Sequence, residues 1–133
     1  YATGRGEELI QLPSPPPVPL LLVFPEERVS TAAAFGLVRR YSQPVGFEAF
    51  EEAVRGDLVS HSALLVNDFE EPVFASIPRL AGFKRRLDEA GAAWAGMSGS
   101  GSTIVGAFRS EALRDAAAQL FSDVRTQRAV TVA

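Results

Sequence analysis

The sequence predicts an α+β fold, an antiparallel sheet with helices packed on one face. Three observations predict it. Short apolar runs at residues 20–24, 91–95 and 104–108, the first two closed by Pro25 and Gly96, read as strands. Between and after them, apolar residues recur at helical spacing, as in Leu80, Phe83, Leu87 and Ala90. The two late strands are also joined by a short glycine- and serine-rich turn, so they pair as a hairpin.

Taken in order, residues 7–12 alternate loosely and read as a first strand. Residues 13–19 hold five prolines, which bar both helix and central strand and make a stiff connector. Residues 20–24, Leu-Leu-Leu-Val-Phe, are continuously apolar and stop at Pro25, the pattern of a buried strand. Ser30-Thr31 offers an N-cap for an alanine-rich helix over 32–41, with Arg39 and Arg40 at its C-terminal end, where cations suit the dipole. A second helix is predicted over 47–54, ended by Gly56. A third opens near Ser60 and runs through Asn67 and Phe69, bent at Pro72. The fourth starts at Pro78, a good first-turn residue, and ends at Gly91. Ser110 caps a fifth, whose Leu113, Ala116, Ala117, Leu120 and Phe121 form one buried stripe. Residues 129–132 close as a strand.

At 133 residues, with 47% apolar and 22% charged residues, the chain has the composition of one ordinary globular domain. Its net charge of −3 argues against a nucleic-acid or polybasic membrane surface. The longest apolar run contains Pro19 and is too short to cross a bilayer. With no cysteine there is no disulfide, thiolate nucleophile or Cys-based zinc site, and a reducing cytoplasm suits the chain. A single histidine, His61, excludes a multi-histidine metal centre made by this chain alone. Lys84, the only lysine, reads as part of a solvated helix face, as do the acidic pairs at 51–52 and 88–89.

The run Gly96-Met97-Ser98-Gly99-Ser100-Gly101-Ser102-Thr103 carries the most chemistry. Glycines let main chain approach a ligand without a Cβ in the way. Successive bare N–H groups form an anion-binding nest, and the serine and threonine hydroxyls add donors. The spacing G-x-x-G-x-G is neither a dinucleotide fingerprint nor a Walker A motif, and no lysine follows it. On the residues alone it reads equally as a hairpin turn without ligand. Asn67, Asp68 and Glu70 fall inside the third predicted helix and read as solvent-facing rather than catalytic.

Several segments occur in one order: Gly4-Arg5-Gly6-Glu7 with Leu9, the strand ending at Pro25, Val29-Ser30-Thr31 leading to Phe35, Asn67-Asp68-Phe69-Glu70, and the glycine hairpin with Gly106. In order and spacing they resemble the C-terminal half of the 4-diphosphocytidyl-2-C-methyl-D-erythritol kinase family of the GHMP superfamily, over nearly the whole chain. The resemblance implies a ferredoxin-like C-terminal domain. It implies an enzyme that transfers phosphoryl from ATP, with Mg²⁺, to a hydroxyl of the diphosphocytidyl substrate in non-mevalonate isoprenoid precursor biosynthesis. It also implies substrate-binding roles for Thr31 and Phe35, the latter packing on the cytosine ring. On the same resemblance, Ser98, Gly99, Ser100, Gly101, Ser102 and Thr103 fall on the family's third conserved motif, a loop expected to fold toward the active-site cleft.

The family's P-A-K segment, its glycine-rich ATP loop and its catalytic aspartate segment do not occur here. The expectation is therefore a substrate-side domain over residues 1–133, without a catalytic residue and binding neither ATP nor Mg²⁺ alone. Its partners would be a small molecule carrying cytidine diphosphate and a missing N-terminal ATP-binding half, with neither nucleic acid nor membrane. Starting at Tyr1, without Met, it reads as a fragment. Two other readings stay open: the C-terminal domain of another GHMP kinase, of homoserine or mevalonate type, and a non-enzymatic α+β domain that binds a ligand or regulates.

Overall fold

The computed structural model describes residues 1–57 and 59–132. Its elements are β1 (Ala2–Thr3), β2 (Glu8–Leu9), β3 (Pro19–Phe24), α1 (Thr31–Leu37), α2 (Phe47–Arg55), a 3₁₀ turn (Ser62–Leu64), α3 (Glu70–Ser76), α4 (Pro78–Glu89), β4 (Trp94–Met97), β5 (Ile104–Ala107), α5 (Glu111–Gln119) and β6 (Arg125–Val130). The main sheet has the order β4-β5-β3-β6, with every neighbouring pair antiparallel. Strand β5 lies between β3 and β4, so the chain crosses from β3 to the outer strand before returning through the hairpin. This is the ferredoxin-like arrangement.

One face of the sheet is dry. In register across it, Leu21 lies beside Gly106 and Ala95, and Val23 beside Ile104 and Met97. Leu21, Val23, Ile104, Ala95 and Met97 are all buried in one cluster with Leu80, Phe83 and Leu87 of α4 and Ala117 and Phe121. The predicted architecture, helices covering one sheet face, is what forms. Phe108 is buried in this core; Trp94 faces the other way and is only half-buried.

Several predicted elements shift. The strand expected at 7–12 is only Glu8–Leu9, paired with Ala2–Thr3 in a separate ribbon. The first helix stops at Leu37, with Val38 extended at ψ 122°, so Arg39 and Arg40 lie beyond it. Gly36 is a weak helix former, and only Ala34 of this helix is buried, so no apolar face sustains another turn. The predicted third helix is absent: residues 65–69 are irregular, and α3 begins at Glu70. Pro72 does not bend a helix but sits in its first turn, where its missing N–H costs nothing.

The stripe on α5 is also rotated. Leu113 and Leu120 are 47% and 63% exposed, whereas Arg114, Ala117 and Phe121 face inward. Arg114 buries its stem and sends its guanidinium to Asp115, Glu111 and the carbonyl of Ala129 on β6. The final strand starts four residues earlier than expected, at Arg125.

Candidate functional site

The hairpin between β4 and β5 carries the glycine run on its tip. Two main-chain bonds shape it, Ser98 N–H to the Thr103 carbonyl at 2.9 Å and Gly101 N–H to the Ser98 carbonyl at 3.0 Å. Gly101 has φ +96°, a left-handed conformation that a side chain rarely adopts. Among the described residues the N–H groups of Gly99, Ser100, Ser102 and Thr103 meet no acceptor. Among the described residues the tip therefore leaves these donors free, alongside the carbonyls of Ser100, Gly101 and Ser102.

Two other segments hold this tip. Ser30 caps α1 by accepting from Ala33 N–H, which aims the first helical residue, Thr31, at the loop. The Thr31 and Ser100 hydroxyl oxygens are 2.9 Å apart. One turn on, on the same helix face, the Phe35 ring stands edge-to-face on Phe69, with centroids 4.9 Å apart at 87°. Phe35 is 56% exposed, so this ring is not core. The structure thus brings Thr31, Phe35 and Ser100 into one patch. Ser98 and Gly99 are exposed at its outer end, and Gly101, Ser102 and Thr103 are half-buried toward β5.

Residues 67–70 form the patch's support, each gripping a different neighbour. The Asn67 side-chain amide donates to the carbonyls of Met97 at 2.7 Å and Gly99 at 2.8 Å. Asp68 accepts from the N–H and hydroxyl of Ser42. Phe69 meets Phe35, and Glu70 accepts from Met97 N–H at 2.7 Å while pairing with Lys84. Lys84 is therefore no solvated lysine but a half-buried partner of Glu70. Nor are Asn67 and Asp68 mid-helix residues. The sequence reading missed their role because it extended a helix through them; the signal lay in Asn-Asp standing just before the acidic first turn of α3.

The larger clefts lie beside this patch rather than in it. One of about 910 Å³ runs behind residues 67–70, lined by Tyr41, Ser42, Lys84, Asp88 and Trp94 among others. There burial raises the Asp88 carboxyl above its usual range, only partly offset by Lys84. A second, of about 590 Å³, lies behind Gly101 and Ser102 against Pro25, Glu27 and Val29. The Phe35 and loop surface is open, one wall without an opposing one. Among the described residues no three or more carboxylate or imidazole side chains converge as metal ligands, and no helix is long and apolar enough to cross a membrane.

Known proteins resemble this chain in sequence and in fold. The family model described as GHMP kinases C terminal matches residues 48–124. A 4-diphosphocytidyl-2-C-methyl-D-erythritol kinase of Solibacter usitatus (strain Ellin6076) is 39% identical over 131 residues, which is 94% of this chain and 42% of that protein. A chloroplastic enzyme of the same name from Arabidopsis thaliana is 38% identical over 112 residues, 80% of this chain and 29% of its own length. The crystal structure of a 4-(cytidine 5'-diphospho)-2C-methyl-D-erythritol kinase superposes with a TM-score of 0.75 at 30% identity, covering 96% of this chain and 47% of that one. The chain thus spans less than half the length of the relatives it matches.

Proposed function

The chain belongs to the GHMP kinase family, matching its C-terminal domain, and from that premise we propose that it is the substrate-side part of an ATP-dependent kinase acting on a hydroxyl of 4-diphosphocytidyl-2-C-methyl-D-erythritol. The observation that carries the reading is the Thr31–Ser100 contact, which fastens an exposed aromatic ring and a donor-rich loop into one surface. A substrate with a flat base and a diphosphate needs both at once. The exposed Phe35 ring, packed edge-to-face with Phe69, takes the cytosine by stacking. The unpaired loop N–H groups and the serine hydroxyls take the negative phosphate oxygens.

ATP, implied by the family, would supply the phosphoryl group, and Mg²⁺ its charge neutralisation. The described residues gather no metal-ligand set, so no step through the metal is derived from this chain. The catalytic base, the nucleotide loop and the opposing wall of the patch belong, on this reading, to an N-terminal half. We also assign the enzyme to the cytoplasm, which a cysteine-free chain suits.

The test is reconstitution. The chain is combined with the N-terminal half of the Solibacter usitatus relative, and ATP-dependent phosphorylation of the diphosphocytidyl substrate is measured beside homoserine and mevalonate. Turnover that needs both halves and prefers the cytidine substrate is expected. A folded, assembled pair that phosphorylates none of the three, or prefers another alcohol, would overturn the reading.

A further inference from the structure

The glycine loop is held at its base by the edge of its own sheet. Strand β4 is the outer strand, and Met97 lies opposite Ile104 with its N–H and C=O turned away from β5. Such an edge normally keeps bare backbone groups. Here Glu70 accepts the N–H, and Asn67 donates to the C=O. Two side chains from residues 67–70 thus stand in for a missing strand.

Asn67 goes one step further. Its amide nitrogen carries two hydrogens and spends them on two carbonyls, Met97 at 2.7 Å and Gly99 at 2.8 Å. Its oxygen accepts from Phe69 N–H at 3.0 Å, which fixes which end of the amide faces the loop. The neighbouring Ser98 and Thr103 carbonyls are already taken by Gly101 N–H and Ser98 N–H. The acceptors at the loop's base are therefore spoken for, while four of its N–H groups donate to nothing among the described residues.

We infer that Asn67 is a positioning residue that makes the Ser98–Thr103 loop a donor surface for a phosphate group, by withdrawing the carbonyls of Met97 and Gly99 from it. It touches no ligand itself. Its chemistry is specific: aspartate has no hydrogen to donate, serine has one, and glutamine places its amide a methylene further out. Without the two bonds, the Gly99 carbonyl is free to turn toward the anion, and its lone pairs would repel a phosphate oxygen. The identity of the anion, the diphosphate of the cytidine substrate, rests on the kinase reading above; the device does not.

The experiment follows the loop amides of the ¹⁵N-labelled chain by NMR during titration with pyrophosphate and, separately, cytidine diphosphate. Asn67→Asp keeps the oxygen that caps Phe69 and removes both donated bonds; Asn67→Ala removes all three without adding charge. Unperturbed β3 and β5 resonances in either variant establish that it is folded. Pyrophosphate should shift Gly99, Ser100, Gly101 and Ser102 in the parent chain, and both variants should weaken that binding at least tenfold. Binding within twofold of the parent in a folded variant, or no loop shift in the parent, would overturn the inference. Failure of the kinase reading looks different. Pyrophosphate binding would still depend on Asn67, but cytidine diphosphate would bind no tighter than pyrophosphate.

Discussion

The hydroxyl oxygens of Thr31 and Ser100 lie 2.9 Å apart although the residues are 69 positions apart in the chain. That contact joins the start of α1 to the tip of the β4–β5 hairpin. It places the Phe35 ring beside the loop, since Thr31 and Phe35 share a helix face. Ring and loop therefore act as one surface, and removal of either should be felt in ligand affinity more than in stability.

Phe35→Ala tests this directly. The ring is 56% exposed and packs edge-to-face with Phe69, so its loss should change the melting temperature little. Cytidine diphosphate affinity should fall by about 1–3 kcal/mol, the usual value of an aromatic–base stack. Calorimetry of the parent and variant chains measures it. Equal affinities would mean the base does not stack there.

Gly96→Ala should destabilise the fold. A Cβ at Gly96 would stand 2.4 Å from Trp94 Cζ2 and 3.0 Å from Glu70 Oε1. Overpacking of this kind costs about 1–3 kcal/mol. It would also push the carboxylate away from Met97 N–H, which it accepts at 2.7 Å. Urea denaturation should show the loss, and adding Trp94→Leu should recover part of it, because the two changes act on one space.

These two cases show what the sequence could and could not tell. The strand at residues 20–24, the helix from Pro78 and the late hairpin were legible because each is a strong local pattern with clear end signals. The pairing of Phe35 with the glycine loop was suggested only by the order of family segments; Phe35 on an alanine-rich helix reads equally well as core. Residues 67–70 were misread because their partners, Met97, Gly99 and Lys84, are distant in sequence, and a helix pattern upstream ran into them. The stripe on α5 was misphased because a search for apolar side chains cannot see that Arg114 buries its stem. Ligand contacts and long-range clamps depend on tertiary geometry that periodicity does not encode.

The Asp57 carboxyl offers a pH test. Hydrogen bonds from Ser60 and Arg109 hold it at about 2, below its ordinary 3.8. A carboxyl depressed in the folded state stabilises above its unfolded value, and that contribution is lost as pH falls from 3.8 toward 2. The Arg109 guanidinium reaches Asp57 at 3.0 Å and also meets the Ser60 hydroxyl, tying the end of α2 to the segment after β5. NMR titration of the Asp57 carboxyl should therefore show a midpoint that rises toward 3.8 in Ser60→Ala and in Arg109→Ala. Midpoints that stay put in both would remove the hydrogen-bond account.

Arg86 joins α4 to the residues just after α5, and Arg86→Lys should separate its shape from its charge. The guanidinium lies 4.4 Å from the Phe121 ring centroid and 5.4 Å from that of Phe83. It donates to both Asp123 oxygens, at 2.9 and 2.7 Å, and to the Leu120 carbonyl at 2.8 Å. Lysine keeps the charge but has neither the fork nor the plane, so it can satisfy the carboxylate or the carbonyl but not stack across both rings. A loss of about 1–2 kcal/mol is expected for the substitution. Salt decides which contact matters. Asp123 is 57% exposed on its side chain, so its ion pair is screened at high ionic strength, whereas the ring and carbonyl contacts are not. If the difference between Arg86 and Lys persists in 1 M salt, on the order of a 3 Å screening length, the ring and carbonyl contacts are what join α4 to the residues after α5. If it vanishes, the ion pair is.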